Sequence, residues 1–417
     1  MESAVPQPDC AGLESWVIEQ GLCGRPHDEL LAGFCRRLRA TGHPMSRASV
    51  SLRTLHPDYG AHTFIWEASN DKISREPHLH GTSESEEFLQ SPINYLVSGS
   101  SNLIRCRLDG RPLEFSFPIV EHLREQGYSD YAAKLVKFAE QKDFQTMAGI
   151  FFSCATHREG GFSDRDLEIS ASLLPALALA FKAVSVQEVA VNIVEAYLGS
   201  DAGHQVLGGR FQRGSVETVD AVILFADLRG FTAAAELLPK QTIVDRLNGY
   251  FDCIVLPVEQ HGGQVLKFLG DGLLAIFALN GERGVAEVCR AALRSAAIAL
   301  AQIDGVNREL EAQGEKGMAL DIALHLGDVM YGNVGAADRL DFTVIGTAVN
   351  EASRIESLCD QLDRNLLISD SFVSALRDAA VRPDDCELMS LGSHSLRGVS
   401  GQREIYGIAE KAPLQDR

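Results

Sequence analysis

The sequence predicts an α+β chain of two domains joined by a helical, glycine-rich connector. Three observations carry that prediction. The chain has 417 residues, more than one ordinary domain needs. From Thr218 onward, short apolar runs and long amphipathic runs follow one another in the order β-α-β-β-α-β, a split unit built on an antiparallel sheet. Between the halves, Gly199–Val216 (GSDAGHQVLGGRFQRGSV) breaks every apolar period. The predicted boundaries are 1–185 for the first domain, 186–216 for the connector and 217–410 for the second.

Composition narrows the class. Apolar residues make up 45% and charged residues 23%, as in a globular protein. The net charge of −19 excludes a general nucleic-acid coat, so a polyanionic substrate needs a local pocket of cations. Nine cysteines are scattered from Cys10 to Cys386 without a CxxC pair, which suggests neither a zinc ribbon nor a disulfide framework. Reduced thiols and a start without a basic, then apolar, leader point to the cytoplasm. The longest apolar stretch, Leu173–Phe181, is too short to span a bilayer, so no membrane span is expected.

In the first domain an amphipathic helix covers Leu30–Leu38. Strands are expected at Arg47–Leu55 and His62–Glu67, a Ser/Glu-rich loop at Asp71–Glu87, and strands at Asn102–Leu108, Glu114–Ile119 and Ala148–Cys154. Ser163 and Asp166 form a capping-box start for a helix, or a helix pair, through Leu167–Leu198. Val186, Val189, Ile193 and Tyr197 recur at helical spacing there. They form either a seam between two chains or a face lying on its own domain. His78 and His80 alternate as strand ligands would. Pro77 and Gly81 interrupt the strand, and the pair reads as a solvated loop.

In the second domain, strand Val219–Phe225 leads through a turn into a long helix, with Pro239 near its start and His261-Gly262-Gly263 closing it. Gln264–Leu269 and Leu273–Phe277 form a hairpin around Gly270-Asp271-Gly272. A second helix spans Gly284–Gln313. Ala319–Leu326 and Val329–Val334 read as another hairpin. Helix Thr347–Cys359 precedes a strand–helix–strand ending. This is a ferredoxin-like split unit with helices on one face of the sheet.

Asp227 sits where the first apolar strand opens into Leu228-Arg229-Gly230-Phe231-Thr232. A carboxylate there serves either as a ligand for a hard cation or as a helix cap. The backbone N–H groups of Gly230, Phe231 and Thr232 enter a helix and suit phosphate oxygens. Asp271 lies in an Asp-Gly turn, which by itself is ordinary hairpin chemistry. In a split βαββ unit, however, the end of the first strand and the tip of the next hairpin meet at one edge. Two carboxylates then converge and fit a two-metal arrangement.

FADLRGFT, LKFLGDG and DFTVIGTAVNEASR, in this order and spacing, resemble the signature blocks of class III adenylate/guanylate cyclases. The resemblance runs from Glu217 to Glu410. It implies a head-to-tail homodimer whose two active sites are each built from both chains, and conversion of ATP to 3′,5′-cyclic AMP and pyrophosphate with two Mg²⁺ or Mn²⁺ ions. On this resemblance Asp227 and Asp271, with the Leu228 backbone, hold metal, and Lys267 reads the purine. An ammonium donates, which suits adenine N1; relatives that use GTP usually carry Glu there. Thr343 falls on the second purine position, as in a Thr-bearing subclass. Arg339 matches a contact to the triphosphate tail. Asn350 and Arg354, four residues apart on one helix face, match the pair that positions the ribose and stabilises the reacting phosphate. The alternatives are a guanylate cyclase, or a non-catalytic nucleotide-binding scaffold. A diguanylate cyclase would need a GGDEF-type hairpin, and this one reads FLGDG.

The stretch Gly149–Ser153, the turn before Phe162, and the run through Phe181 resemble the last strand and helix of a GAF domain. That likeness implies a regulatory domain responding to a small-molecule or ionic effector. The Asn-Lys-Phe-Asp-Glu signature of cyclic-nucleotide-binding GAF domains is absent.

Overall fold

The computed structural model describes residues 10–56, 59–82, 85–99, 101–110, 115, 117–138, 149–377 and 387–409. The chain divides into two compact units, Met1–Ala196 and Tyr197–Arg417.

The first unit opens with helices α1 (Cys10–Leu22) and α2 (His27–Ala40) and strands β1 (Arg47–Arg53), β2 (Tyr59–Glu67) and β3 (Lys72–Leu79). Short helices α3 (Glu86–Leu89) and α4 (Pro92–Ser98) lead to β4 (Leu103–Arg107), α5 (Pro118–Glu125), β5 (Asp130–Lys137), β6 (Gly149–Thr156) and the long α6 (Asp164–Leu198). The six strands form one sheet in the order β3-β2-β1-β6-β5-β4, antiparallel throughout. Alternation of side chains divides the core. Val50, Leu52, Phe152 and Cys154 face α1, α2 and α6. Phe151, Ala155, Ala133 and Tyr131 face α4 and α5.

Several expectations are corrected here. The segment read as a loop at Asp71–Glu87 contains β3, which holds His78 while His80 lies just beyond it. β3 is the sheet edge and mostly exposed, so it carries little apolar signal, and an edge tolerates Pro77 because no partner needs its missing N–H. Both histidines have protein partners: His78 Nε2 pairs with Thr63 Oγ1 at 2.9 Å, and His80 Nε2 with the His56 carbonyl at 2.7 Å. Of the strand expected at Glu114–Ile119, residues 114 and 116 lie outside the described residues. Pro118 and Ile119 begin α5, with Pro118 at the first helical position. Strand β5 went unread because its Ala-rich sequence has no clear period. The capping box forms: the Asp166 N–H donates to Ser163 Oγ at 3.2 Å, and the Ser163 N–H to Asp166 Oδ2 at 2.7 Å.

α6 is a single 35-residue helix with Pro175 inside it. It is long and apolar enough to cross a bilayer by length and composition, although 56% of its most apolar stretch is buried inside the protein. The expected seam divides. Val189 is buried in its own unit, whereas Val186, Ile193 and Tyr197 are exposed.

The second unit begins with α7 (Ser200–Leu207), a helix inside the segment read as a linker. Its Ala202 is buried against the sheet, and Tyr331 Oη donates to Asp201 Oδ2 at 2.9 Å. Then come β7 (Val216–Arg229), α8 (Phe231–Leu237), α9 (Lys240–Gln260), β8 (Gln264–Leu269), β9 (Gly272–Ala278) and α10 (Val285–Ala312). The remainder is β10 (Ala319–Ala336), β11 (Arg339–Ile345), α11 (Thr347–Glu356), α12 (Cys359–Leu362), β12 (Leu366–Ser369), α13 (Asp370–Arg377), β13 (Leu388–Ser395) and β14 (Gln402–Ile408).

The strand order is β13-β14-β12-β10-β7-β9-β8, with β11 added to β10. The four strands β10-β7-β9-β8, at one end of the sheet, keep the split βαββαβ order. The hairpin expected within 319–334 is instead one 18-residue strand. It stays extended through Gly327-Asp328 because β7 pairs with it continuously, from Ala319↔Arg229 to Gly332↔Val216; its hairpin partner is β11. Helices cover both faces rather than one. Val222, Leu224 and Phe277 face α9, α10 and α13. Ala221, Ile223 and Ile276 face α7, α11 and β11. A strand buried on both faces reads as a continuous apolar run, as AVILFA does.

In the first unit Asp130 is fully buried. It accepts from Arg105 Nη2 at 2.9 Å and from the Phe162 N–H at 2.9 Å, with Arg107 Nε at 3.7 Å. Asp130→Ala leaves partly buried guanidinium charge and a backbone donor unmatched, and should cost about 3–5 kcal/mol. Denaturant unfolding of the full chain should show the loss in the transition of the first unit. A change under about 1 kcal/mol, the range of exposed pairs, would mean the network is solvated.

Candidate functional site

The site lies where β7 ends. Asp227 is the third residue from its C-terminus, half-buried between apolar Ala226 and Leu228. The β8–β9 turn comes directly against it: a Cβ on Gly272 would lie 2.7 Å from Asp227 Oδ1 and 2.6 Å from the Ala226 carbonyl oxygen. Only glycine fits, and Gly270, at φ +74°, supplies the left-handed step of the same turn. Asp271 stands between them. The two carboxylates predicted to converge do converge.

They have further acidic company. Asp321 is paired across the ladder with Asp227. Burial, then the charges of Asp271 and Asp321, push the Asp227 carboxyl up to about 6, opposed by a hydrogen bond from the Leu228 N–H. Glu356, at the end of α11, is pushed up to about 7 by burial and then by Asp227 and Asp321, with Asp271 adding to the effect. One guanidinium answers this cluster. Arg229 donates to Asp321 through Nε at 2.9 Å and Nη2 at 2.6 Å, and lies 3.4 Å from Asp360. Asp321, Glu356 and Arg229 were not singled out in the sequence. The one usable signal was an acidic residue inside the apolar run ALDIAL.

Gly230 is in the left-handed conformation at φ +90°, directly before α8, with no side chain capping that helix. The N–H groups of Gly230, Phe231 and Thr232 therefore have no side-chain cap to satisfy them. Phe231 packs on the core and Thr232 is exposed.

Lys267 lies on β8 beside a register shift. Its Nζ donates to Asp341 on β11. Asp341 also escaped the sequence reading, although it stands two residues before Thr343 and so on the same strand face. Thr343 is buried. Arg339 is exposed at the start of β11. Asn350 and Arg354 are both exposed on α11, which packs on β10 and β7. The charges that shift the Asp227 carboxyl are those of Asp271 and Asp321, both acidic.

Hard oxygen donors crowded until one carboxyl resists ionisation fit a divalent cation. Among the described residues no three His, Cys, Asp or Glu side chains form a cage. Two carboxylates and a backbone oxygen suit Mg²⁺, which keeps water or substrate phosphate in its remaining positions.

Residues 215–410 match the family described as the adenylate and guanylate cyclase catalytic domain. A curated adenylate cyclase of Anabaena cylindrica is 36% identical over 167 residues, 39% of this chain and 32% of that protein. Adenylate cyclase 1 of Rhizobium meliloti is 27% identical over 212 residues, 50% of this chain and 30% of that protein. The crystal structure of the adenylyl cyclase CyaB from P. aeruginosa aligns at 26% identity and TM-score 0.42, over 48% of this chain and 98% of that one. The chain thus carries a class III adenylate/guanylate cyclase catalytic domain at residues 215–410. It spans about a third of the length of each of these two curated relatives.

The Asp227, Asp321 and Glu356 carboxyls all titrate higher in the folded protein than in the unfolded chain. Between the ordinary carboxyl range and about pH 7 the folded state therefore binds more protons, and stability falls as pH rises through that window. Asp227→Asn should raise metal-free stability at pH 8 by on the order of 1 kcal/mol, after allowance for solvent screening, and change it little at pH 4. Urea unfolding at both pH values tests this; an equal effect at each would rule out carboxylate repulsion as the cause.

Proposed function

We propose that this protein converts ATP to 3′,5′-cyclic AMP and pyrophosphate, in a head-to-tail homodimer with two sites built from both chains. The observation that carries the reading is the convergence of Asp227 and Asp271 at the end of β7, within a domain of the cyclase family. Adenylate cyclases among the curated relatives support the choice of activity.

Asp227, Asp271 and the Leu228 backbone would hold two Mg²⁺ or Mn²⁺ ions. When bound, the ions supply positive charge to the triphosphate and acidify the attacking 3′-hydroxyl. The N–H groups of Gly230, Phe231 and Thr232 bind phosphate oxygens at the entry to α8. Lys267 donates to the adenine ring, and Asp341 fixes the ammonium where it does so. The Thr343 hydroxyl accepts from the 6-amino group. A pocket that offers a donor at this point favours adenine over guanine. Asn350 orients the ribose and Arg354 steadies the charge developing on the α-phosphate. Arg339 contacts the phosphate tail. Exposure of Asn350 and Arg354 leaves both side chains accessible to a partner's site, which supports their service there. Little covalent chemistry falls to the protein; positioning and charge stabilisation carry the rate.

For the first unit we propose a GAF-like regulatory role, with a small molecule or ion as effector. The six-stranded order β3-β2-β1-β6-β5-β4 with helices on both faces supports it. Among the described residues seven cysteines are free, which fits a reducing compartment such as the cytoplasm.

Divalent-metal-dependent release of pyrophosphate from ATP, measured beside GTP, tests the reaction. Arg354→Ala should lower kcat at least about 10²-fold. Asp227→Asn should also be inactive, yet mixing the two variants should restore turnover, because a mixed dimer contains one intact site. If the mixture stays inactive while both variants fold and pair, the shared-site arrangement is wrong. Separately, Asp341→Asn should raise KM for ATP more than it lowers kcat; an unchanged KM would remove Asp341 from base recognition.

A further inference from the structure

α11 presents Asn350 and Arg354 to solvent and rests on β10 and β7 by its other face. Its buried residues are Ala348, Ala352 and Ile355. The helix lies against bare backbone, because a Cβ on Gly327 of β10 would stand 2.7 Å from the Ala348 Cβ. Alanines and a glycine bring the elements close but offer little relief to resist rotation about the helix axis. Glu351 stands at the boundary of the two faces. Successive helix residues turn by about 100°, so Asn350 and Arg354 lie roughly 100° and 60° to one side of it, with the three buried residues on the other. The Glu351 side chain is 14% exposed and meets Arg403 of β14. Arg403 Nε donates to its Oε2 at 3.2 Å and Nη2 to its Oε1 at 3.3 Å. Arg403 Nη1 also donates to the Ser400 carbonyl at 3.4 Å. His325 of β10 lies 3.9 Å from the same carboxylate, with Ser371 Oγ 3.5 Å from its other ring nitrogen. Burial lowers the range in which that imidazole is charged, so Arg403 supplies the standing positive charge.

We propose that the Glu351–Arg403 pair is the positioning device of α11: it sets the rotation of the helix and, through it, the places of Asn350 and Arg354. What those two residues do rests on the proposed reaction; the anchoring of the helix does not. A carboxylate covered this far needs a partner. Without Arg403 it gains by turning toward water, and the helix turns with it. A rotation of about 20° moves a group roughly 6 Å from the axis by about 2 Å. A misplacement of about 1 Å can cost on the order of 10²-fold in rate. The paired bonds of a guanidinium fix direction as well as distance, which a point charge on a flexible stem does not. Arg403 comes from the β13–β14 hairpin, outside the strands β10-β7-β9-β8 that open the site. That hairpin therefore governs the rate without touching substrate, and Glu351 and Arg403 are positioning residues.

The test is turnover of ATP by the full chain carrying Glu351→Gln, Arg403→Met or both. Each single variant should lower kcat at least about 10-fold and move KM by less than about twofold, because the base and metal contacts lie on β7, β8 and β11. The double variant should be no slower than the worse single one, and Arg403→Met should add little to the loss in Arg354→Ala. Arg403→Lys should recover part of the rate. Glu404→Gln, on the same strand but bonded by Ser393, should leave turnover unchanged. In mixed dimers Arg403→Met should be restored by Asp227→Asn, which brings an intact α11, and not by Arg354→Ala. The proposal is overturned if Arg403→Met works at the parent rate, or if its loss adds in full to that of Arg354→Ala. It is overturned equally if Arg354→Ala restores it as well as Asp227→Asn does. Should Asp227→Asn and Arg354→Ala fail to restore each other, the shared site is wrong, and the coupling to Arg354→Ala decides alone. If Arg403→Met does not fold, Arg403→Lys and Glu351→Gln carry the same comparisons. A parent that releases no pyrophosphate refutes the proposed reaction, and amide hydrogen exchange then decides. Glu351→Gln and Arg403→Met should speed exchange in α11 at least about 10-fold while α10 keeps its protection; unchanged exchange in α11 overturns the anchor.

Discussion

The pairing of β7 with β10 is the constraint on which the second unit depends. Fourteen consecutive residue pairs run from Ala319↔Arg229 to Gly332↔Val216. β7 is also paired on its other edge with β9 and covered by helices on both faces. Nothing in its middle can shift without exposing apolar side chains, and a slip of one residue would invert both faces at once. The end of β7 is therefore fixed to within one residue. Asp227 and Arg229 occupy defined places, opposite Asp321 and Ala319.

That rigidity permits an arrangement which would not persist in a looser setting. Asp227, Asp271, Asp321 and Glu356 share one region, with Arg229 the guanidinium that answers them. Like charges held together in a half-buried place raise one another's protonation range, and the fold bears that cost. A site under such strain favours any cation that enters it. Arg229 divides the cluster: it takes Asp321 into a buried, bidentate pair, and among the described residues no cation pairs with Asp227 or Asp271. The same principle organises the first unit, where Asp130 gathers two arginines and a backbone N–H. There the buried carboxylate is answered by cations rather than by other acids, and the result is a structural junction.

Elements with strong periods were legible in the sequence. The β8–β9 hairpin, α9, α10 and the start of α6 follow from apolar spacing, turn residues and the Ser163/Asp166 capping box. The misreadings share a physical cause. β3 is an exposed edge strand, so its residues need not alternate. β5 is Ala-rich and has weak contrast. Gly327-Asp328 has the chemistry of a turn, but a long partner strand keeps it extended. α7 lies in a Gly-rich stretch where propensity argues against helix; contact of Ala202 and Asp201 with the second unit's sheet overrides it.

By itself the sequence carried the β-α-β-β-α-β order that opens the second unit, and it singled out Asp227, Asp271, Lys267, Thr343, Asn350 and Arg354 as candidates. Those depend on local spacing and residue chemistry, which a linear reading contains. The tertiary structure alone decided which charges became neighbours. Asp321 and Glu356 lie 94 and 129 residues from Asp227 along the chain and meet it through strand register and helix packing. Asp341 reaches Lys267 only because β11 folds back on β10. The tertiary structure also decided which side of α6 remained uncovered, because burial of Val189 and exposure of Leu179 depend on where the rest of the first unit packs.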